Sequence, residues 1–292
     1  MKIGIVAPFG NTPKRDLNFA KEFSQALEEL GFSSLWLPEH VMFFSPKDYD
    51  SKYPYSEDGS PPFDDDAALY DPLIFIAALS QATTFLRFAT SVLVLPQRPA
   101  LLTAKEVMTL DHVTGGRFDF GVGAGWSSEE YAALGVNFEH RGTRFDEYIM
   151  AIKEIWNNPK ASFDGKFVQF SNAIIRPEPV TKGGPLFLIG GDSPAAMRRA
   201  ARYGDGWYGW WSGYELEEHL SKLTKIMALH GRKNDDNFHL RLGIPPQKDY
   251  KILNKKIIEA RSLHVEELAI TVKISSSNFA AELLDLKNSI DL

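Results

Sequence analysis

Short apolar runs rich in β-branched residues alternate along the chain with segments whose apolar residues recur at spacings of three and four. The runs have the length of strands, and the segments between them have the period of amphipathic helices. This alternation is typical of repeated β-α units, which build a parallel sheet. The pattern predicts eight strands: Lys2–Ala7, Ser34–Leu37, Leu86–Leu95, Arg117–Val122, Leu186–Ile189, Gly206–Trp210, His239–Ile244 and Glu267–Lys273.

Local signals mark several helix ends. The first predicted helix carries its apolar residues between Leu17 and Leu30, and Gly31 follows as a residue suited to a left-handed cap. Asp71–Pro72 and Ser193–Pro194 each combine an N-cap residue with proline in the first helical turn. These pairs predict the starts of two further helices, each after a predicted strand or insertion.

The fold class follows from the number of units. Eight units in 292 residues favour a single (β/α)8 TIM barrel, which typically needs about 250 residues. A doubly wound open sheet has the same alternation, so the number of units and the total length decide for the barrel. We expect one domain over residues 1–292 with two insertions. Residues 41–70, after strand two, are predicted to form a lid, and residues 159–185, before strand five, a hairpin excursion.

Composition narrows the function. The chain has no cysteine, which excludes disulfides, thiolate metal sites and cysteine nucleophiles. Its net charge is −6 and its basic residues are scattered, so we expect neither a nucleic-acid nor a membrane surface. The apolar run ending at Ala7 is too short for a signal peptide, and Leu73–Leu79 falls short of the roughly 20 residues of a membrane span. We therefore expect a cytoplasmic protein with a small-molecule partner.

A glycine-containing turn follows the fifth predicted strand. Gly190, Gly191, Asp192 and Ser193 lead directly into the helix that begins at Pro194. Unpaired backbone N–H groups and the positive end of a helix dipole meet at such a turn, which suits a phosphate. An ordinary turn with Ser193 as the helix cap explains the same residues, and both interpretations stay open.

A second glycine run ends the fourth predicted strand. Residues 120–126 resemble the dinucleotide-binding fingerprint, but Trp126 stands where its third glycine belongs. Glycines such as Gly123 would let the backbone lie close under a flat ring, or simply allow a tight strand-to-helix turn. Ser127 and Glu130 have the spacing of a capping box at the start of the next helix.

His40 is the candidate acid or base. It follows the second predicted strand, at the end of the barrel where catalytic residues gather, and Glu39 beside it is predicted to orient it. A purely structural histidine is the alternative. Each of the remaining histidines lacks this location or a partner. The seven histidines also lack the spacings of the helical and strand metal motifs, so we expect no metal site.

Taken together, the motifs resemble the bacterial luciferase-like oxidoreductases. Their order and spacing agree over roughly the first 210 residues. The segments that carry the resemblance are Pro38–His40, Ser91–Pro96, Gly115–Trp126, Gly190–Pro194 and Gly204–Trp207. Leu35–His40 and Leu93–Arg98 further resemble a branch of the family that is assigned to the deazaflavin coenzyme F420.

The resemblance implies where a cofactor lies. A flavin-type ring would cross the strand ends, with Ser91 and Val92 as a bulge beneath it, commonly at a non-prolyl cis peptide. The cofactor phosphate would lie at Gly190–Ser193 and His40 near the reactive ring, which requires a ring-sized cleft between these groups. Ala124 takes the place of an arginine that helps bind phosphate in the luciferases, which argues against tight FMN binding.

The implied reaction is hydride transfer between F420 and a small organic substrate, with His40 and Glu39 as catalytic residues. The runner-up is an FMN-dependent monooxygenase that uses reduced flavin and oxygen. Two more hypotheses are a non-redox barrel that binds a phosphorylated metabolite and forms a Schiff base at Lys273, and a silent flavin-binding barrel. A homodimer is expected by analogy with the family.

Overall fold

The computed structural model describes residues 1–8, 16–62, 68–232, 237–247 and 249–290. In chain order, the strands are β1 (Lys2–Val6), β2 (Ser34–Leu37), β3 (Arg87–Thr90), β4 (Leu93–Val94), β5 (Phe118–Gly123), β6 (Ala161–Asp164), β7 (Gln169–Ala173), β8 (Leu186–Gly190), β9 (Gly206–Trp210), β10 (His239–Ile244) and β11 (Glu267–Thr271). The helices are α1 (Leu17–Glu29), α2 (Pro72–Leu79), α3 (Ala100–Thr114), α4 (Ser128–Ala133), α5 (Arg141–Asn157), α6 (Pro194–Tyr203), α7 (Leu216–Leu229), α8 (Tyr250–Ser262) and α9 (Phe279–Ser289).

Eight parallel strands close into a barrel. They follow the order β3, β2, β1, β11, β10, β9, β8 and β5, and pairing of β5 with β3 completes the ring. The short strand β4 continues beyond β3 and pairs with β5. The TIM barrel predicted from the number of β-α units is therefore confirmed.

The third predicted strand is not continuous. Leu86–Leu95 is divided into β3 and β4, because the chain departs from the ladder at Ser91 and Val92, whose peptide bond is cis. The eighth predicted strand also ends earlier than expected, at Thr271. Lys273 lies beyond it and is exposed, where solvent competes for the backbone hydrogen bonds that would extend the strand.

The predicted helix ends are confirmed. The Asp71 side chain accepts a hydrogen bond from Ile74 N at the start of α2. Ser193 accepts one from Ala196 N at the start of α6. Gly31, after α1, has φ +80°, the left-handed conformation that glycine adopts without steric cost.

The buried apolar residues that the structure describes form two clusters. The larger apolar core lies between the barrel and its helices, whereas a smaller cluster inside the barrel contains Trp36 stacked on Tyr208 at 4.6 Å. At the N-terminal ends of the strands, buried Arg241 bonds to Asp119 and Glu267, at 2.7 Å each. This charge network fills the lower end of the barrel and leaves the opposite end for a site.

Both predicted insertions depart from the regular barrel. Residues 159–185 contain the antiparallel hairpin of β6 and β7, and Gly165 N donates to Val168 O across its turn. Residues 41–62 cross the C-terminal ends of the strands and contain one short 3-10 turn, Pro46–Asp48. The predicted insertion extends to residue 70, and its residues 63–67 lie outside the described residues.

Candidate functional site

The sequence-predicted site residues meet at one end of the barrel. We call this end the mouth: the rim formed by the C-terminal ends of the parallel strands. His40 follows β2, Ser91 and Val92 lie between β3 and β4, Gly123 ends β5, and the turn 190–193 follows β8. The barrel therefore brings residues that are up to 153 positions apart to a common edge.

His40 is held by a carboxylate other than the predicted one. Its Nδ1 lies 3.1 Å from Glu130 Oε2, and both side chains are largely buried. Glu130 Oε1 accepts a hydrogen bond of 2.6 Å from Val41 N. Burial raises the pKa of Glu130, but the hydrogen bond and charge of His40, together with the nearby Gln97 side chain and the hydrogen bond from Val41 N, outweigh it, so the pKa lies below its usual value.

Glu39 anchors the rim instead of orienting His40. Its buried carboxylate accepts hydrogen bonds from Val94 N at 2.5 Å and from Arg98 Nε at 2.9 Å. Arg98 also pairs with Asp71, the cap of α2. Burial raises the pKa of Glu39, although Arg98 opposes this shift. The predicted role of Glu39 is therefore corrected. Its carboxylate joins the end of β2 to β4 through Val94 N, and its charged partner is the Arg98 guanidinium and not His40.

The capping-box spacing drew attention to Glu130 in the sequence but did not predict its contact with His40. Ser127 Oγ accepts from Glu130 N at 3.1 Å, which is one half of the predicted capping box. The Glu130 carboxylate turns away to His40 and Val41, so the reciprocal half does not form. Because 90 residues separate Glu130 from His40, no spacing rule relates them.

Val92 packs between two of the predicted glycines. A Cβ atom on Gly123 would lie 2.6 Å from Val92 Cγ2, and one on Gly190 would lie 2.6 Å from Val92 Cγ1. The Val92 side chain therefore leaves no room for a Cβ atom at either position, which explains why both residues are glycine. This contact joins the predicted ring platform to the predicted phosphate turn.

Several polar atoms near the mouth are buried without a hydrogen-bond partner among the described residues. They include Ser91 Oγ and the Tyr208 hydroxyl, which lie near each other without a hydrogen bond of normal geometry. Trp126 Nε1 and Thr271 Oγ1 are also buried and have no hydrogen-bond partner among the described residues. Burial raises the pKa of Tyr208, so its hydroxyl keeps its proton and can donate. Buried polar atoms without partners are costly, and a bound group with polar edges would satisfy them.

The turn after β8 opens a helix as predicted. Gly191 has φ +113° and donates its N–H to Tyr208 O at 3.1 Å. Ser193 caps α6, and within the described part of the chain the N–H groups of Ser193 and Ala195 find no acceptor. Both residues are exposed at the helix N-terminus, where an anion is favoured.

The Asp192 carboxylate is hydrogen-bonded to other residues of the chain and not to the N-terminus of α6. It accepts hydrogen bonds from Trp210 N and from the Tyr214 hydroxyl, both at 3.2 Å. His219 Nε2 lies 3.4 Å away, and its ring stacks on Tyr214 at 4.0 Å. The expectation that only His40 has a partner and a rim position is thus corrected, since α7 brings His219 to Asp192.

Aromatic residues of the insertion cover the mouth. Tyr49 and Tyr53 pack against Trp126, at 5.1 and 5.3 Å between ring centroids, and Tyr55 faces Trp210 at 6.4 Å. Burial raises the pKa of Tyr53 to about 12. These contacts place Tyr49, Tyr53 and Tyr55 beside rings of the barrel mouth, and the role of residues 41–70 as a lid stays a prediction.

The start of α4 fastens this segment. Glu129 Oε1 accepts hydrogen bonds from Asp50 N at 2.8 Å and from Ser51 N at 2.9 Å. Burial raises the pKa of Glu129, but hydrogen bonds from its own backbone N–H, from Ser51 N, from Ser127 Oγ and from Asp50 N together lower it to about 2. Two consecutive glutamates of one helix therefore hold successive parts of the insertion.

The expected open cleft between the Ser91 bulge and the Gly191 turn is taken up by side chains. Tyr53 and Tyr55 are both near Tyr208, and the Tyr55 hydroxyl lies 3.9 Å from the position of a Gly191 Cβ. A cavity of about 390 Å³ lies elsewhere, on the outer face between α5 and α6. A ring can occupy the mouth only after the two tyrosines are displaced. The strand-end atoms themselves fit a conjugated ring with polar edges and an attached phosphate.

Two kinds of site have no support in the described ranges. No three His, Asp or Glu side chains of these ranges converge to bind a metal ion. Among the helices described, none has the length and apolar character needed to span a bilayer.

A closed α/β barrel with polar and aromatic side chains gathered at its C-terminal strand ends is the arrangement of barrel enzymes. Residues 1–246 match the family model of the luciferase-like monooxygenases, and the chain belongs to this family of oxidoreductases. A protein of Mycobacterium tuberculosis is 34% identical over 226 residues, covering 77% of each chain. An FMNH2-dependent dimethylsulfone monooxygenase of Pseudomonas putida is 37% identical over 210 residues, covering 70% of this chain and 55% of that protein.

Solved structures share the barrel. An F420-dependent secondary alcohol dehydrogenase, in complex with an F420-acetone adduct, aligns with a TM-score of 0.79 at 15% identity, over 100% of this chain and 99% of its own. The oxygenating constituent of 3,6-diketocamphane monooxygenase of Pseudomonas putida, in complex with FMN, aligns with a TM-score of 0.67 at 17% identity, over 89% and 71%. At these identities the likeness establishes the fold alone.

Proposed function

We propose that this protein binds coenzyme F420 across the mouth and transfers a hydride between its ring and a small organic substrate. The observation that carries the proposal is the set of buried, unpartnered strand-end atoms that includes Ser91 Oγ and the Tyr208 hydroxyl. They lie on the same rim as His40 and the N-terminus of α6. When bound, the coenzyme supplies the hydride chemistry, and the protein supplies position and electrostatics.

Each part of the rim has a distinct task in this proposal. Ser91 and Tyr208 would hold the polar edge of the ring, and Val92 would support its face. The N–H groups of Ser193 and Ala195 would bind the phosphate at the start of α6. His40 would exchange a proton with the substrate oxygen, because it follows β2 on the rim and the Glu130 carboxylate beside it can stabilise its charged form.

One feature favours F420 over FMN. By the resemblance to the family, Ala124 stands where the luciferases proper have an arginine for the phosphate, so that cation is replaced here by a methyl group. The competing function, an FMN-dependent monooxygenase, is favoured by the sequence identity to the dimethylsulfone monooxygenase.

A Schiff-base enzyme and a silent flavin-binding barrel have less support. A Schiff base at Lys273 would require an amine inside the mouth, but Lys273 is exposed beyond the end of β11. A silent flavin-binding barrel would not need the buried pair of His40 and Glu130. A homodimer and a cytoplasmic location stay predictions, which light scattering and fractionation would check.

Titration of the purified protein with F420 and with FMN, followed by the fluorescence of each, tests the proposal. We expect saturable binding of F420 that is at least about tenfold tighter than binding of FMN, which corresponds to about 1.4 kcal/mol. The variant Tyr208→Phe removes only the hydroxyl and should weaken F420 binding. Tyr250→Phe, which changes a tyrosine of α8, is its matched control. Binding of FMN with no binding of F420 would instead support the monooxygenase.

A further inference from the structure

The first turn of α4 presents two consecutive carboxylates to the insertion, and they do different work. Among the described residues, Glu129 bonds to backbone and hydroxyl groups, namely the N–H of Asp50, the N–H of Ser51 and Ser127 Oγ. Glu130 bonds to a side chain that can carry a proton, His40, and to the N–H of Val41. The two glutamates therefore form a natural pair of test and control.

We propose that Glu130 is a positioning residue: it fixes the neutral His40 ring with its proton on Nδ1, so that Nε2 is the nitrogen that exchanges the proton with substrate. Neutral imidazole has one donor and one acceptor nitrogen, and the partner of one nitrogen decides the state of the other. A carboxylate only accepts, so the nitrogen that faces it must donate. The part of this proposal that concerns substrate rests on the proposed function, whereas the tautomer does not.

The tautomer is set at Nδ1, which lies 3.1 Å from Glu130 Oε2. Phe43, in the insertion, and Trp126, after β5, face the imidazole at 5.3 and 5.8 Å between ring centroids. Two other carboxylates of the rim are engaged elsewhere: Glu39 is paired with Arg98, and Glu129 is bonded to the insertion. Burial raises the pKa of Tyr49, so its hydroxyl stays neutral.

The same carboxylate links the ring to the start of the insertion. Its second oxygen accepts from Val41 N at 2.6 Å and from Met42 N at 3.5 Å. When Nε2 takes up a proton, the new positive charge lies beside a carboxylate that the backbone holds in place. The start of the insertion and the histidine thus share one anchor.

The geometry predicts how the substitution Glu130→Gln changes the tautomer of His40. Val41 N is a donor, so the carbonyl oxygen of the glutamine must take the position of Oε1. Its amide N–H group then takes the position of Oε2 and donates to His40 Nδ1. The substitution should therefore reverse the tautomer of His40, from Nδ1–H to Nε2–H, while it preserves the bond to the insertion.

The experiment measures ¹⁵N chemical shifts of the histidine rings in the protein without coenzyme, at a pH where imidazoles are neutral, with His40→Asn to assign the signal. We expect Nδ1–H in the wild type and in Glu129→Gln, and Nε2–H in Glu130→Gln. An Nε2–H tautomer in the wild type, an unchanged tautomer in Glu130→Gln, or an equal reversal in Glu129→Gln would overturn the proposal. Should Glu130→Gln fail to fold, the wild type and Glu130→Asp decide it, both with Nδ1–H expected. Because no coenzyme is used, a failure of F420 binding leaves this result unaffected.

Discussion

At the scale of single residues, Val92 shows how one side chain constrains the backbone around it. It fills the space above Gly123 and Gly190, and the strand ends on either side of the bulge are spaced to fit its two methyl groups. Glycine is needed here for close approach, since neither position has the positive φ that would call for it on conformational grounds.

Replacement of Gly123 by alanine should therefore destabilise the protein. The new Cβ would lie 2.6 Å from Val92 Cγ2, and overpacking of this kind costs about 1–3 kcal/mol. Urea unfolding measures the change. The double variant Gly123→Ala with Val92→Ala should be more stable than the sum of the single changes predicts. Additive effects would show that the contact between the two residues is not what restricts the position.

At the residue scale, the sequence predicted where the site residues lie better than it predicted which side chains they contact. His40 and Gly191 lie on the rim where the ends of their predicted strands placed them, because the end of a strand can be read from local pattern. The position of Ser91 beneath the ring was implied only by the family resemblance. The partner of His40 could not be read in the same way. Glu39 is adjacent in sequence, but consecutive residues at a strand end point to opposite sides, and the fold brings Glu130 to the ring instead.

At the scale of elements, the insertion after β2 decides access to the mouth. Its tyrosines fill the space between the Ser91 bulge and the Gly191 turn, and the start of α4 fastens its backbone. A coenzyme bound at the mouth, as proposed above, would compete with these contacts of the insertion.

Removal of the Tyr55 ring should speed coenzyme entry. Tyr55→Ala deletes the contact with Trp210 and the approach to Gly191. We expect the association rate of F420 to rise about tenfold, because fewer contacts must break before the mouth opens. Stopped-flow fluorescence measures this rate, with Tyr250→Ala as a control far from the mouth. An unchanged rate would mean that the tyrosine moves aside without cost.

The predicted elements were accurate where local sequence decides them. Helix starts at Asp71 and Ser193 depend on a cap and a proline within two residues, and both were correct. The third strand was predicted too long, since Leu86–Leu95 is mostly apolar and ends in four consecutive apolar residues, as a buried strand does. Its interruption depends on Val92 meeting glycines from two other strands, which no window of sequence contains.

At the scale of the whole molecule, ion pairs join strands at the lower end of the barrel. Arg241 on β10 reaches Asp119 on β5 and Glu267 on β11, and Glu266 accepts from His239 Nδ1 at 2.7 Å. Such groups stabilise the fold only as long as the carboxylates are ionised, because a buried cation without its partner is costly.

Acid should therefore weaken the protein through these carboxylates. The hydrogen bond with His239 lowers the pKa of Glu266 from its usual 4.5 to about 2, although burial opposes it and Arg241 assists. A lowered pKa stabilises the folded state above pH 4.5, and this contribution is lost as the pH falls from 4.5 to 2. Urea midpoints measured across that range should fall less steeply for Glu266→Gln than for the wild type. Glu218→Gln, on the exposed side of α7, should keep the wild-type slope.

By itself, the sequence determined the number of β-α units, the barrel they form and the rim on which the polar motifs lie, because hydrophobic period and helix caps act over short distances. The tertiary structure decided which side chains meet. It pairs His40 with Glu130, ties Asp192 to His219 and Tyr214, and brings Tyr53 and Tyr55 over the mouth. These contacts join residues far apart in the chain, and closure of the barrel is the physical event that brings them together.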